Sequence, residues 1–266
     1  MKTSTLLLTV LPAATALSSQ ALAASITLSA TVRDFKYDST PGGHPDFEYT
    51  IGSDPGIVET TLPASKKPTY AGLAGNPTTH GPAEFDMWYG GPPVAGVDPG
   101  IVIPTSLTLT ETAPGSGVYE YTNSAYFPID GLGYGNQSLS HNYHFTLELH
   151  TEFTYQTGQE FSFTGDDDVW VFIDNELVID LGGVHGAMSA TVDLDTLGLT
   201  DGDTYDFDFF FAERHTSESN LKISTSIVLE ENPPTVPEGG SLLIVLLAAL
   251  GGMVGSRRVS LRQPAA

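Results

Sequence analysis

The sequence predicts an all-β protein whose main domain is a β-sandwich of the jelly-roll type. Several stretches alternate apolar with polar residues, which is the pattern of strands that bury one face. The 28 glycines and 18 prolines of the 266-residue chain indicate frequent turns, and no stretch has the pattern of an amphipathic helix. Because 40% of the residues are hydrophobic, the chain can also build a large core.

A secretory signal peptide is predicted at the N-terminus. Lys2 precedes an apolar stretch at residues 6–17, and Ala21-Leu22-Ala23 supplies the small residues of a cleavage site. We expect cleavage after Ala23, so that the domain over residues 24–229 is exported.

Strands are predicted in order along this domain, the first at residues 26–32. Residues 33–100, rich in glycine, proline and aspartate, are expected to form long ordered loops with short strands, in which Phe85, Trp88 and Tyr89 provide packing. The most regular alternation, at residues 143–155, predicts a strand with one face in the core and the other in solvent. Further strands are expected at residues 161–163, 169–173, 177–179, 190–194, 205–211 and 221–229.

A β-hairpin is predicted at residues 165–180, and the candidate site depends on it. Three consecutive aspartates at residues 166–168 precede an apolar run at 169–173, which is typical of a fully buried strand. Asp174 and Asn175 then provide a tight turn, because Asn tolerates the positive φ angles that such a turn needs. The hairpin therefore fixes three carboxylates at the entrance of a strand.

These three aspartates indicate a cation site. Neighbouring carboxylates repel one another, and residues 68–213 contain no Lys or Arg to offset them. A hard ion that prefers oxygen ligands, most simply Ca²⁺, is the expected countercharge. The alternative is a solvated acidic turn whose carboxylates cap backbone amides. Arg214, just after the cation-free stretch, is expected to pair with a carboxylate and to shape the loop that ends at Asn220.

The charge of the chain limits its partners. A formal net charge of −22 argues against nucleic acid and against an anionic membrane surface, because both are bound through Lys and Arg. Neutral polar ligands such as carbohydrates stay possible. Glycoside hydrolases also use paired carboxylates, but theirs lie about 5–10 Å apart across the scissile bond, which adjacent residues of one turn do not achieve. No enzyme activity is therefore predicted.

The composition changes after the domain. Residues 230–241 form a linker rich in Pro and Gly, residues 242–258 an apolar run that ends in an arginine pair, and residues 259–266 a short tail. The run is short for a membrane span, which takes about 20 helical residues. We therefore expect a short hydrophobic helix that is a marginal anchor, with its arginines and the tail on the cytoplasmic side.

This C-terminal part resembles the PEP-CTERM class of sorting signals. The matching residues are Val236-Pro237-Glu238 and Arg257-Arg258, although Gly239 stands where the commonest form has a second proline. The resemblance implies recognition by an exosortase-type enzyme and delivery to the cell surface or extracellular matrix. The helix would then be a transient or permanent anchor in the inner membrane.

The body of the chain resembles a fibro-slime domain. The matching stretches lie at residues 33–35, 44–48, 127–131, 141–146, 165–185 and 212–215. Fibro-slime domains are in turn similar to the protective-antigen-like β-sandwich of toxins, glycosidases and flocculin adhesins. That similarity implies the same kind of sandwich for residues 24–229.

The resemblance also implies a site. In adhesive members of that fold, an Asp pair and an Asn from a later loop hold a calcium ion that contacts sugar hydroxyls. The matching residues in this chain are Asp166, Asp167 and Asn220. Further ligand contacts are expected from Asp168, Arg214 and Trp88. An exported, calcium-dependent carbohydrate-binding or adhesion module is thus predicted; the alternatives are a purely structural matrix protein and a glycoside hydrolase.

Overall fold

The structure, a computed structural model, describes residues 21–72 and 76–231. Over these ranges strands dominate, joined by turns and by two long, largely irregular segments at residues 35–100 and 124–144. The strands are β1 (Ser25–Asp34), β2 (Gly52–Ser53), β3 (Ile101–Glu111), β4 (Tyr119–Asn123), β5 (Phe145–Thr154), β6 (Glu160–Gly165), β7 (Asp168–Ile173), β8 (Glu176–Leu181), β9 (Gly183–Val184), β10 (Met188–Asp193), β11 (Thr204–Glu213) and β12 (Leu221–Thr225). A helix, α1, spans Pro82–Trp88, and a single 3₁₀ turn spans Leu194–Thr196.

Ten of the strands form one antiparallel sheet. Their order is β10-β6-β12-β4-β3-β1-β5-β11-β7-β8, and β2 pairs separately with β9. The two edge strands, β10 and β8, also approach each other, so the sheet is rolled into a nearly closed, barrel-like shape. The predicted all-β class is confirmed, whereas the finer jelly-roll assignment stays a prediction.

The inside of the rolled sheet is the main core. Because side chains alternate between the two faces of a strand, every second residue of each strand points inward. Phe207 and Phe209 of β11 face Phe161 and Phe163 of β6, with ring centroids 5.1 Å and 5.7 Å apart. Apolar residues of β1, β3, β5, β7 and β12 join them in one buried cluster, which holds the sheet in its rolled form.

A second core lies on the outside of the sheet, under a segment at residues 35–97 that we call the covering segment. Its apolar side chains, among them Phe47, Phe85 and Trp88, pack with Trp170 of β7 and Phe210 of β11. These strands are therefore buried on both faces. The covering segment buries the outer face of the first half of β5, where Thr146 and Glu148 are buried. Glu152 and Thr154, in the second half, are exposed as predicted, and the strand starts at Phe145.

Helix α1 corrects the expectation that the chain has no helix of this kind. It has only seven residues, which is too short for a hydrophobic period to stand out in the sequence. Pro82 lies in its first turn, where its missing N–H costs nothing. The helix buries Phe85, Met87 and Trp88, as predicted for the packing aromatics of this region.

The β7–β8 hairpin agrees with the sequence. All six residues of β7 are buried, and Asp174 and Asn175 have φ angles of 50° and 66°, as a two-residue turn of type I′ requires. Lys66 of the covering segment donates hydrogen bonds to the Asn175 side chain and, at 2.7 Å, to Asp206. The hairpin is thus held both by its own turn and by the covering segment.

Several predicted segments lie outside the described residues. They are most of the signal peptide, the linker from residue 232 onward, the apolar run at 242–258 and the tail at 259–266. Within the described part of the chain, no helix is long and apolar enough to cross a membrane.

Candidate functional site

The three consecutive aspartates are buried rather than solvated. Asp166 and Asp167 connect β6 to β7, whose first residue is Asp168. The exposed fractions of the three residues are 4%, 4% and 0%, in chain order. An isolated buried carboxylate is strongly unfavourable, so each of the three needs partners. The three carboxylates are therefore not solvated, although each accepts a backbone N–H, as the alternative of an acidic turn that caps backbone amides predicted.

Asp168 is paired with Arg214. The Arg214 Nε donates to one carboxylate oxygen at 2.5 Å and Nη2 donates to the other at 3.0 Å, while the backbone N–H of Gly183 donates to the same group at 2.6 Å. Both side chains are fully buried. The expected pairing of Arg214 with a carboxylate is confirmed, and Arg214, rather than a metal ion, is the countercharge of Asp168.

Arg214 and Trp88 belong to the layer beneath the covering segment. The Arg214 guanidinium lies 4.7 Å from the Trp88 ring and donates to the Thr78 carbonyl at 2.6 Å, and the Trp88 indole N–H donates to Asp46 at 3.1 Å. Trp88 has no exposed surface. This corrects the expectation that Trp88, Arg214 and Asp168 contact a ligand, because none of the three reaches the surface.

Asp166 and Asn220 meet, as the resemblance implied. The Asn220 backbone N–H donates to one Asp166 oxygen at 2.5 Å, and its side-chain NH₂ donates to the other at 2.6 Å. Residue 220 immediately precedes β12, which pairs with β6, so sheet pairing brings these two residues together. The Asn220 amide oxygen accepts none of the hydrogen bonds found within the described residues.

Asp167 is the least compensated of the three carboxylates. Its Oδ2 accepts the backbone N–H of Arg214 at 2.7 Å. Burial raises the pKa of Asp167 to about 8; the charge of Arg214 opposes this shift, and the nearby Asp168 and Asp166 add to it. A cation bound beside Asp167 would therefore lower this pKa and stabilise the ionised carboxylate.

Glu213 was not among the predicted site residues, and the structure adds it. Burial, and then the nearby Asp167, raise the pKa of Glu213 well above its ordinary value. Its Oε2 is buried and has no hydrogen-bond partner in the part of the chain that the structure describes. The available signal in the sequence was its position next to Arg214, at the end of a strand that pairs with β7.

An open pocket of about 190 Å³ lies over Asp166 and Asp167. Its other walls are Ile51 of the covering segment, the stretch 184–186 after β8, and the loop at residues 215–218. Glu48 holds that loop, since its carboxylate accepts the Thr216 backbone N–H at 2.8 Å. The pocket is thus built jointly by the sheet and the covering segment.

The residues around this pocket offer oxygen atoms of the kind that calcium binds. Calcium takes six to eight oxygen ligands, and the chain offers the Asp167 carboxylate, the Asp166 carboxylate and the Asn220 amide oxygen. No group of three or more His, Asp or Glu side chains in the described residues is arranged to hold a metal ion. A calcium ion here would therefore complete its shell with backbone carbonyls, water or ligand hydroxyls.

Comparisons with known proteins show what this chain is similar to. The family model for the PA14 domain matches residues 108–238. Protein psiC of Dictyostelium discoideum is 44% identical over 222 residues, which are 77% of this chain and 42% of psiC. Protein psiR of the same organism is 42% identical over 210 residues, which are 73% of this chain and 21% of psiR. The chain spans less than half the length of these relatives.

Solved structures are matched more distantly. The "PA14 sugar-binding domain from RTX adhesin" is 12% identical, with 43% of this chain and 74% of that chain covered and a TM-score of 0.27. The PA14 domain of the MpAFP antifreeze protein is also 12% identical, with 48% and 68% covered and a TM-score of 0.27. These TM-scores are too low to establish a shared fold. The fibro-slime and PEP-CTERM resemblances stay predictions, and residues 108–238, about half of the chain, are similar to the PA14 domain.

Proposed function

We propose that this chain is an exported carbohydrate-binding or adhesion module that takes a sugar through a calcium ion in the Asp166–Asp167 pocket. The proposal rests on one observation: Asp167 is a buried carboxyl group, and it lies on the wall of an open pocket. Burial raises its pKa to about 8, a shift that the charge of Arg214 only partly offsets. A divalent cation would restore its ionised form and leave coordination positions open toward the pocket.

The family match supports the same ligand class. Residues 108–238, which the PA14 model matches, include Asp166, Asp167 and every other residue of the pocket wall except Ile51, and the protective-antigen-like resemblance implies an Asp pair that holds calcium against sugar hydroxyls. Hydroxyl oxygens are suitable calcium ligands. The carboxylates of the pocket, among them Glu218, would repel acidic sugars, so the proposed ligand at this site is neutral.

Hydrolysis is disfavoured by the same geometry. Asp166 uses both carboxylate oxygens to hold Asn220, and Asp167 is its sequence neighbour. A retaining or inverting glycosidase needs an acid and a second carboxylate on opposite sides of the bond, about 5–10 Å apart. The proposed module therefore binds its sugar without cleaving it.

We also propose export to the cell surface or extracellular matrix. The support is the signal-peptide pattern of residues 1–23 and the PEP-CTERM-like pattern of residues 236–258. An exosortase-type enzyme would be the sorting partner, and the apolar run at 242–258 the transient or permanent membrane anchor.

A glycan array with the full-length chain tests the binding proposal. We expect binding to neutral glycans in calcium, loss of that binding in EDTA, and loss in Asp167→Asn. Asp203→Asn, at an exposed residue remote in sequence from the pocket, is the matched control and should bind as the parent chain does. Binding that persists in EDTA would remove calcium from the mechanism. An absence of binding to any glycan would instead favour the structural matrix protein.

A further inference from the structure

A second pocket, which shares no lining residue with the first, lies around Arg33 of β1. Its volume is about 290 Å³. Its walls are the residues around the end of α1, including Gly90, and the start of β3, including Val102. Among the described residues that line it, Arg33 is the only charged one. The pocket is therefore a candidate site for a ligand of opposite charge.

Half of the Arg33 guanidinium is unused. Its Nη1 donates to Glu148 Oε1 at 2.9 Å, but its Nε is buried and has no hydrogen-bond partner among residues 21–72 and 76–231. Nη2 donates none of the hydrogen bonds found within the described residues. The side chain is only 11% exposed. A buried donor of a charged group without a partner is costly and uncommon in native proteins. A ligand that accepts hydrogen bonds from the Nε–Nη2 edge would remove this cost.

The unused edge has the shape that a carboxylate fits. Nε and Nη2 lie side by side in the plane of the guanidinium and can donate two parallel hydrogen bonds to one carboxylate. A Cβ atom at residue 90 would lie 3.1 Å from Nη2 and 3.2 Å from Nε. Gly90, which also has a φ angle of +96° that favours glycine, thus leaves the space in front of this edge open.

The charges nearby favour a ligand with a single negative charge. Glu148 is already shared between Arg33 and Lys67, so the two cations exceed the one carboxylate between them. Asp98, next to the pocket residue Pro99, is paired with Lys36 at 2.6 Å. Asp86 lies beside Gly91 and forms no ion pair within the described residues, so its charge would disfavour a dianion.

We propose that this pocket binds one carboxylate group through the Nε–Nη2 edge of Arg33, as carried by a uronate sugar or by the C-terminus of a peptide. The apolar atoms of Met87, Pro99 and Val102 on its walls would contact the carbon skeleton of the ligand. This site is separate from the proposed calcium pocket and does not need a metal ion.

Calorimetry and ligand-observed NMR on the full-length chain in EDTA test the proposal. The probes are methyl β-glucuronide against methyl β-glucoside, and acetyl-glycyl-alanine against its C-terminal amide. We expect at least one of the two acids to bind about tenfold more tightly than its neutral partner, because each neutral partner lacks the charge-assisted pair of hydrogen bonds. Binding of the glucuronide alone identifies a uronate site, and binding of the peptide acid alone identifies a C-terminal carboxylate.

Four variants link the binding to Arg33. Arg33→Lys keeps the charge but loses the forked edge, and Val102→Glu places a negative charge on an exposed residue of the rim; each should weaken binding of the acid about tenfold. Val102→Gln, which makes the same change of shape without the charge, is the comparator for Val102→Glu and should bind the acid about tenfold more tightly than Val102→Glu does. Val228→Glu, at an exposed residue outside the pocket, is the matched control and should leave binding within about twofold. If Arg33→Lys does not fold, the difference between the two Val102 variants decides. Equal affinity for acids and neutral partners, or no binding at about 50 mM, overturns the proposal.

Discussion

Asp168 and Arg214 form a fully buried ion pair that joins the rolled sheet to the covering segment. Asp168 opens β7, and Arg214 directly follows β11, so the pair spans two adjacent strands of the sheet. From the same guanidinium, Nη1 reaches out to the Thr78 carbonyl at 2.6 Å. The neighbours of these two residues, Asp167 and Glu213, stand at the pocket end of the sheet, so the pair also fixes the geometry of the candidate site.

Breaking this ion pair should strongly destabilise the protein. Asp168→Asn leaves the Arg214 charge buried and uncompensated, which typically costs about 3–5 kcal/mol of unfolding free energy. Urea denaturation followed by tryptophan fluorescence measures the change, because Trp88 lies 4.7 Å from the guanidinium. The control is Lys36→Gln, which breaks a partly exposed pair with Asp98 and should leave the denaturation midpoint nearly unchanged. A small effect at Asp168 would show that the pair does not hold the layers together.

The β7–β8 turn should discriminate between glycine and alanine at residue 175. Asn175 has a φ angle of 66°, a conformation that costs most side-chain-bearing residues about 1 kcal/mol, and its side chain accepts a hydrogen bond from Lys66. Asn175→Ala loses both the tolerance of a positive φ angle and the hydrogen bond from Lys66, whereas Asn175→Gly loses only the hydrogen bond. Thermal unfolding should therefore give a lower Tm for the alanine variant. Equal Tm values for the two would argue against the type I′ turn.

The sequence predicted the strands better than it predicted which segments pack against them. The alternation of Phe207, Phe209 and Phe211 identified the inner face of β11 correctly, because period-two burial is a local property of the chain. It could not show that Phe210, on the outer face, is also buried. That burial comes from the covering segment, more than 100 residues earlier, whose packing depends on pairings that local patterns do not encode.

The candidate site shows the same division. The turn and the meeting of Asp166 with Asn220 were predictable from the hairpin pattern and the family resemblance. The pairing of Arg214 with a carboxylate was also predicted, but the identity of that carboxylate as Asp168 was not, because nothing in the sequence says that consecutive aspartates point to different partners. Once β7 begins at Asp168, its side chain faces the covering segment with Arg214, while Asp167 lines the pocket. The strand boundary thus decides which carboxylate is structural.

The free energy of unfolding should decrease at acidic pH, because Glu148 becomes protonated. Burial alone would raise the pKa of Glu148, but its contacts with His150, Arg33 and Lys67 outweigh burial and lower the pKa to about 2. Because this value is below the ordinary value of 4.5, the unfolded chain takes up the proton first as the pH falls. The contribution of Glu148, up to about 3 kcal/mol, is therefore complete above about pH 4.5 and is lost as the pH falls toward 2.

Urea denaturation between pH 2.5 and 6 measures this dependence. Glu148→Gln should be less stable than the parent chain at pH 6, and the difference between them should shrink as the pH falls. Glu152→Gln, four residues further along the same strand at an exposed position, is the matched control and should follow the parent chain. A Glu148→Gln difference that stays constant over this range would contradict the lowered pKa.

Calcium should stabilise the protein through Asp167. An ion that binds only the folded state adds about 2.7 kcal/mol at 100 times its dissociation constant, so millimolar calcium should raise the Tm measured by calorimetry. The gain should vanish in Asp167→Ala, which removes the carboxylate with the raised pKa, and also in Asp166→Ala, which frees Asn220 from its two hydrogen bonds. Asp203→Ala should keep the full calcium-induced shift in Tm.

Since ionised Asp167 is the proposed ligand, the calcium-induced shift should also be larger at pH 8.5 than at pH 6.5. If calorimetry detects no calcium uptake by the parent chain, and its Tm is the same in calcium and in EDTA, the pocket has no calcium site and any sugar binding there must rest on hydrogen bonds alone.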